Sequence, residues 1–134
     1  MTLSYGIWDG ISHTFTYSSA GHPPALHYQT GTGCVRKLDA GGIVLGVCED
    51  IAYHTESVSL GIGDALVFYT DGITEASNDS DEVFGVQRLS EVVAEYGEET
   101  SEELASTIME AASDFAKQGW QDDVTLMIVK RSEA

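Results

Sequence analysis

Cysteine, proline and basic residues are scarce in this chain, and each scarcity closes off a class of protein. Cys34 and Cys48 are the only cysteines in 134 residues. Two thiols do not build a disulfide framework, and without a CxxC pair or a Cys/His cluster they do not build a zinc site. The two prolines are adjacent, Pro23 and Pro24, and 43% of the residues are hydrophobic, which excludes a Pro-rich or disordered chain. Lys and Arg number 6 against 22 Asp and Glu, a net charge of −16. Such a chain is repelled by phosphate backbones and anionic lipid, so no nucleic-acid partner and no membrane partner is expected. The longest strictly apolar run, Ala65 to Tyr69, is far too short to span a bilayer. The opening MTLSYGIWDG has neither the basic nor the apolar region of a secretory signal. The expectation is a soluble, cytoplasmic protein whose length suits one domain with a real core.

The residues that are present divide the chain into a strand-rich first half and a helix-rich second half. Leu3, Tyr5 and Ile7 alternate with Thr2, Ser4 and Gly6, and Ile11, His13, Phe15 and Tyr17 alternate again beyond Asp9-Gly10. This predicts a β-hairpin over residues 2–18. The Gly21-His22-Pro23-Pro24 segment breaks it. Strands are expected over Ala25–Gln29, Cys34–Leu38 and about Ala52–Leu60, with a Gly41-Gly42 loop between the last two. The nearly continuous apolar run Ala65–Thr70 predicts a central strand buried on both faces, and Val124–Val129 a second buried strand. Between them, Val86, Leu89, Val93 and Tyr96 recur at helical spacing up to Gly97, and Leu104, Ile108, Ala111, Ala112 and Phe115 form a second stripe. Thr100-Ser101-Glu102-Glu103 fits a capping box at the start of that second helix. The fold class is α+β, with helices covering one face of an antiparallel sheet.

Two acidic positions carry the chemistry. Asp71 ends the apolar strand, with Gly72 leaving room beside it, and Asp122-Asp123 precede the last strand. If those two strands pair antiparallel, Asp71 and Asp122 come to the same sheet edge. Two converging carboxylates repel, and a divalent cation relieves them. Hard oxygen ligands favour Mg²⁺ or Mn²⁺ over zinc. Each motif alone is most often a turn or a solvated strand cap. Gly41, Gly42 and Gly46 open no predicted helix and precede no lysine, so they are not a phosphate loop. His13, His27 and His54 lie on strand-like segments beside polar residues and are given no chemical role.

Five segments, in order, resemble the C-terminal two-thirds or so of a SpoIIE/RsbU-type serine phosphatase of the PPM (type 2C) metal-dependent superfamily. They are Tyr17 to Pro24; Gly41 to Gly46; Gly63 to Ala76, which holds Thr70-Asp71-Gly72; Phe84-Gly85; and Gln121 to Thr125. The resemblance implies an αββα sandwich with two Mn²⁺ or Mg²⁺ ions, at which metal-activated water rather than a protein nucleophile attacks phosphorus. It makes Asp71 and Asp122 metal ligands, with Gly72 and Asp123 as supporting neighbours. His22 is open to two readings, a substrate-side contact or proton donor, or a ring bonded locally that fixes the Pro-rich loop. The implied substrate is a phosphoserine or phosphothreonine on a small anti-anti-sigma (STAS) protein.

The same resemblance places a Gly-Asp motif with the bridging carboxylate, and a helix pair, upstream of the segment where Met1 falls. The expectation is therefore a partial phosphatase domain over residues 1–134, lacking N-terminal strands and one helix pair. A bare sheet face would then favour a homodimer or an upstream sensor domain as partner, and the two remaining acids would form a weak site. The alternative functions are a non-catalytic binding module for a sigma-regulatory partner and an acidic metal-responsive domain.

Overall fold

The computed structural model describes residues 1–133 as two antiparallel-type sheets stacked face to face, with two helices on one outer face. The first sheet holds β1 (Leu3–Asp9), β2 (Thr14–Ala20), β5 (Gly41–Gly42) and β6 (Glu56–Ser59). Strand β2 is its centre, pairing antiparallel with β1 and β6 and briefly parallel with β5. The second sheet runs β4 (Cys34–Leu38), β3 (Ala25–Gln29), β7 (Ala65–Tyr69) and β8 (Leu126–Lys130), all antiparallel. Helices α2 (Gly85–Tyr96) and α3 (Ser101–Ala116) pack on that sheet, after the single turn α1 (Asp71–Thr74).

Alternation along the strands sorts side chains into two cores. Leu26, Val67 and Tyr69 face the helices and meet Leu89, Val93, Leu104 and Ile108. Leu66, Leu38 and Ala25 face the other way and meet Phe15, Tyr17 and Val58 of the first sheet. Strand β7 is buried on both faces, as its apolar run predicts, because it lies between β3 and β8 and between helices and sheet. The capping box at Thr100 is present: its hydroxyl accepts from the Glu103 N–H at 3.2 Å, and the Glu103 carboxylate accepts the Thr100 N–H at 3.0 Å.

Several local expectations change. The hairpin turn is longer than Asp9-Gly10: the Asp9 carboxylate accepts the N–H groups of Ile11 and Ser12, and β2 starts only at Thr14. Ile11 is thereby lifted out of the strand pattern to 94% exposure. Strand β6 is four residues rather than nine, and Gly41–Gly42 is itself a short strand. Strand β8 is not buried on both faces. Leu126 and Ile128 pack toward the helices, while Met127 and Val129 are 53% and 45% exposed. They line an open cleft of about 960 Å³ between the sheets, bordered by Trp8 of β1 and Phe68 of β7. The outer face of the first sheet has no helix among the described residues, and Leu3, Tyr5 and Ile7 of β1 are exposed.

Candidate functional site

The pairing of β7 with β8 decides where the acids stand. Its register sets Tyr69 opposite Leu126, so the segments just beyond, Thr70-Asp71 and Asp122 to Thr125, leave the sheet together at one end. Backbone and side-chain bonds extend the contact past the ladder. The Thr70 N–H donates to the Thr125 carbonyl at 3.1 Å. The Thr70 hydroxyl accepts the Thr125 N–H at 3.0 Å and donates to the Asp123 carbonyl at 3.3 Å.

Asp71 is the first residue of α1, not the end of a strand, and it is exposed. Its backbone carbonyl accepts the Glu75 N–H at 2.8 Å, leaving the side chain free of that turn. Gly72 is buried, and a Cβ there would collide with the Asp123 carbonyl oxygen. Glycine at this position is therefore what lets the α1 turn and the loop before β8 touch. Asp122 is exposed in that loop, and its carboxylate accepts the Asp123 N–H at 2.7 Å. Asp123 is exposed and contributes its carbonyl to Thr70.

A groove of about 660 Å³ opens beside Asp71, walled by His22, Lys37, Tyr69, Thr74 and Val86. His22 is half-buried, reached through Gly21 at φ +65°, and its Nδ1 lies 3.4 Å from the Thr2 hydroxyl. The Ser19 hydroxyl donates to the His22 carbonyl at 3.1 Å, tying the Pro-rich loop to β2. Burial first, and the Asp71 carboxylate second, push the Tyr69 phenol up to about 12. Tyr69 therefore stays neutral at the groove wall, close enough to sense the Asp71 charge.

At the opposite end of β7 lies a buried polar pair. His27 Nε2 is 2.8 Å from the Asp64 carboxylate, which also accepts the N–H groups of Thr30 at 2.9 Å and Gly61 at 3.0 Å. Both residues are buried, remote from Asp71, and their contacts are within the fold. The clamp at Thr70 and the Asp64 anchor both fall in the Gly63 to Ala76 segment, but as a sequence feature each is one polar residue at a strand end. Only the register shows what it touches.

Hard carboxylate oxygens at Asp71 and Asp122, exposed and at one sheet end, suit a divalent cation such as Mn²⁺ or Mg²⁺. Among the described residues no three His, Cys, Asp or Glu side chains gather into a metal-binding group. Among the described residues no helix is long and apolar enough to cross a membrane.

Known proteins resemble this arrangement over nearly the whole chain. The sequence profile of the Stage II sporulation protein E (SpoIIE) family matches residues 1–132. Phosphoserine phosphatase RsbU of Bacillus subtilis is 28% identical over 131 residues, covering 98% of this chain and 39% of that protein. The RsbU and RsbW domains of a Mycobacterium tuberculosis protein superpose with a TM-score of 0.83 at 29% identity, over 98% of this chain and 36% of that one. The SpoIIE phosphatase domain of Bacillus subtilis, from a manganese-presoaked sample, superposes with a TM-score of 0.78 at 20% identity, over 99% of this chain and 57% of that one.

Proposed function

Because the chain belongs to the SpoIIE family, we propose that it is part of a PPM-type, metal-dependent protein-serine/threonine phosphatase domain, and that Asp71 and Asp122 are two of its metal ligands. The observation that carries this reading is the β7–β8 register, which delivers both acids to one sheet end beside an open groove. The cation is Mn²⁺ or Mg²⁺; when bound it supplies Lewis acidity toward phosphoryl oxygens and lowers the pKa of water.

The chain's own residues do the positioning. Thr70 locks the Asp71 segment to the loop that carries Asp122, and Gly72 permits their contact. Asp123 supports that loop through its carbonyl. His22 stands on the substrate side of the groove, on a loop held by Ser19. Two carboxylates are a weak site for a hard cation, so the remaining ligands come from polypeptide outside residues 1–134. The partial coverage of the SpoIIE phosphatase domain, 57%, supports that division. The exposed outer face of the first sheet supports it too, since apolar side chains such as Ile7 await a cover.

The substrate is a phosphoserine or phosphothreonine on a small STAS-type regulator, in the cytoplasm. Its support is the name of one relative, a phosphoserine phosphatase, and the joining of RsbU and RsbW domains in another. The test is Mn²⁺-dependent release of phosphate from a phosphorylated STAS protein by the full-length protein. Asp71→Asn and Asp122→Asn should each lower kcat by about 100-fold or more and weaken Mn²⁺ binding in calorimetry. Full activity in both variants overturns the ligand assignment.

A further inference from the structure

The groove beside Asp71 has an acidic protein's electrostatic problem. Eleven acids lie between Asp71 and Glu103, opposed there only by Arg88. A phosphorylated substrate is an anion approaching a surface of its own sign, and steering by the protein's overall field works against it. At physiological ionic strength that field is screened beyond about 8 Å, so a cation within contact range can reverse its sign locally. The question is which basic side chain is free to do so.

Four of the six are occupied. Arg88 donates to the carbonyls of Val83 at 2.8 Å and Phe84 at 3.2 Å, with its guanidinium 4.5 Å from the centre of the Phe115 ring. Lys130 donates to the carbonyls of Gly97 at 2.7 Å and Glu99 at 2.5 Å. Arg131 donates to the Leu60 carbonyl, and Arg36 lies 3.9 Å from Glu56. Lys117 is the residue just after α3, away from the groove. Lys37 remains. It makes no ion pair or hydrogen bond among the described residues, is exposed, and walls the groove together with Asp71 and His22. Its place follows from register. Lys37 pairs with Leu26, whose side chain enters the helix-side core, so Lys37 projects from the edge strand β4 on the same side as α2.

We infer that Lys37 is a substrate-binding residue, its ammonium taking an anionic group of the phosphorylated substrate, phosphoryl or flanking carboxylate, at the wall of the Asp71 groove. This rests on the phosphatase reading for the identity of the substrate, though not for the existence of the anion contact. Lysine suits the task as a compact point charge on a flexible stem, able to follow a ligand held elsewhere.

The experiment uses the full-length protein with Mn²⁺ and two substrates, an aryl phosphate and a phosphoserine peptide with acidic flanks. Equilibrium binding of the peptide is followed separately by fluorescence anisotropy. Lys37→Glu should raise KM and Kd for the peptide about tenfold while kcat changes by less than about twofold, the size expected for losing a charge-assisted contact. Lys37→Arg should stay near wild type. Lys117→Glu makes the same change of net charge away from the groove and should leave both constants unchanged. A raised KM on the aryl phosphate as well assigns the phosphoryl group; a raised KM on the peptide alone assigns the flanking carboxylate. Unchanged KM and Kd in Lys37→Glu, or an equal loss in Lys117→Glu, overturns the inference. A wild-type protein that binds the peptide without hydrolysing it overturns the phosphatase reading instead, and the Kd comparison still decides the role of Lys37.

Discussion

Thr70 and Thr125 are joined twice, by backbone and by side chain: the Thr70 N–H reaches the Thr125 carbonyl at 3.1 Å, and the Thr125 N–H reaches the Thr70 hydroxyl at 3.0 Å. The second bond lies where the β7–β8 ladder has ended, and the same hydroxyl continues to the Asp123 carbonyl at 3.3 Å. One side chain thus fixes the spacing of the two segments that carry Asp71 and Asp122.

Replacing that hydroxyl by a methyl should loosen the spacing without changing the side-chain shape. Thr70→Val removes one acceptor and one donor, and should cost about 1–2 kcal/mol in urea denaturation. It should also weaken Mn²⁺ binding in calorimetry with both carboxylates intact. Unchanged stability and unchanged Mn²⁺ affinity would show that the clamp is dispensable.

Gly72→Ala attacks the same contact from the other side. The new Cβ meets the Asp123 carbonyl and comes within 3.0 Å of Val124 Cγ2, so the loop before β8 must move away from α1. A loss of about 1–3 kcal/mol is expected, as for other overpacked sites. Metal-dependent turnover should fall further than stability alone explains. A variant as stable and as active as wild type would contradict the close approach of these segments.

Asp64 holds the far end of β7 with three accepted hydrogen bonds, from His27, Thr30 and Gly61. Asp64→Ala leaves the buried His27 Nε2 and two backbone N–H groups unpaired. The cost should be about 3–5 kcal/mol, a large part of the stability of a small domain. Chemical denaturation measures it, and a loss below about 1 kcal/mol would contradict the anchoring role.

Alkaline pH should destabilise the fold through its buried phenols. Burial, reinforced by the hydrogen bond its hydroxyl donates to Glu56 at 2.9 Å, pushes the Tyr17 phenol from 10.0 up to about 12. Tyr69 is raised to about 12 as well, chiefly by burial. A phenol whose folded pKa lies above its unfolded value contributes stability that is fully present below pH 10.0 and lost as pH rises toward about 12. Melting temperature should therefore fall across that window. Tyr17→Phe should make the fall shallower without abolishing it, because Tyr69 and Tyr28, whose phenol burial also raises, still titrate. An identical slope in the variant would place the cause elsewhere.

Local pattern carried much of the fold. The apolar run of β7, the helical stripes of α2 and α3 and the Thr100 capping box are dictated by residues within a few positions of each other, and they form where the sequence predicts. Errors fall where distant partners decide. The burial of β8 depends on what lies across the inter-sheet cleft, so its apolar sequence reads as buried while Met127 and Val129 are exposed. Asp9 is a local exception: it reads as half of a two-residue turn, but its carboxylate collects the N–H groups of Ile11 and Ser12 and lengthens the loop.

By itself the sequence determined the α+β class, the −16 charge and the two acidic motifs, because periodicity, composition and motif spacing are properties of the chain alone. Tertiary structure alone decided that β7 and β8 are neighbours. That choice sets Asp71 and Asp122 at one sheet end and aligns Thr70 with Thr125, since both depend on register between strands far apart in sequence. The physical reason is that a strand's faces alternate at every residue. A shift of one position would have left the same motifs in the sequence and sent their side chains to opposite sides of the sheet.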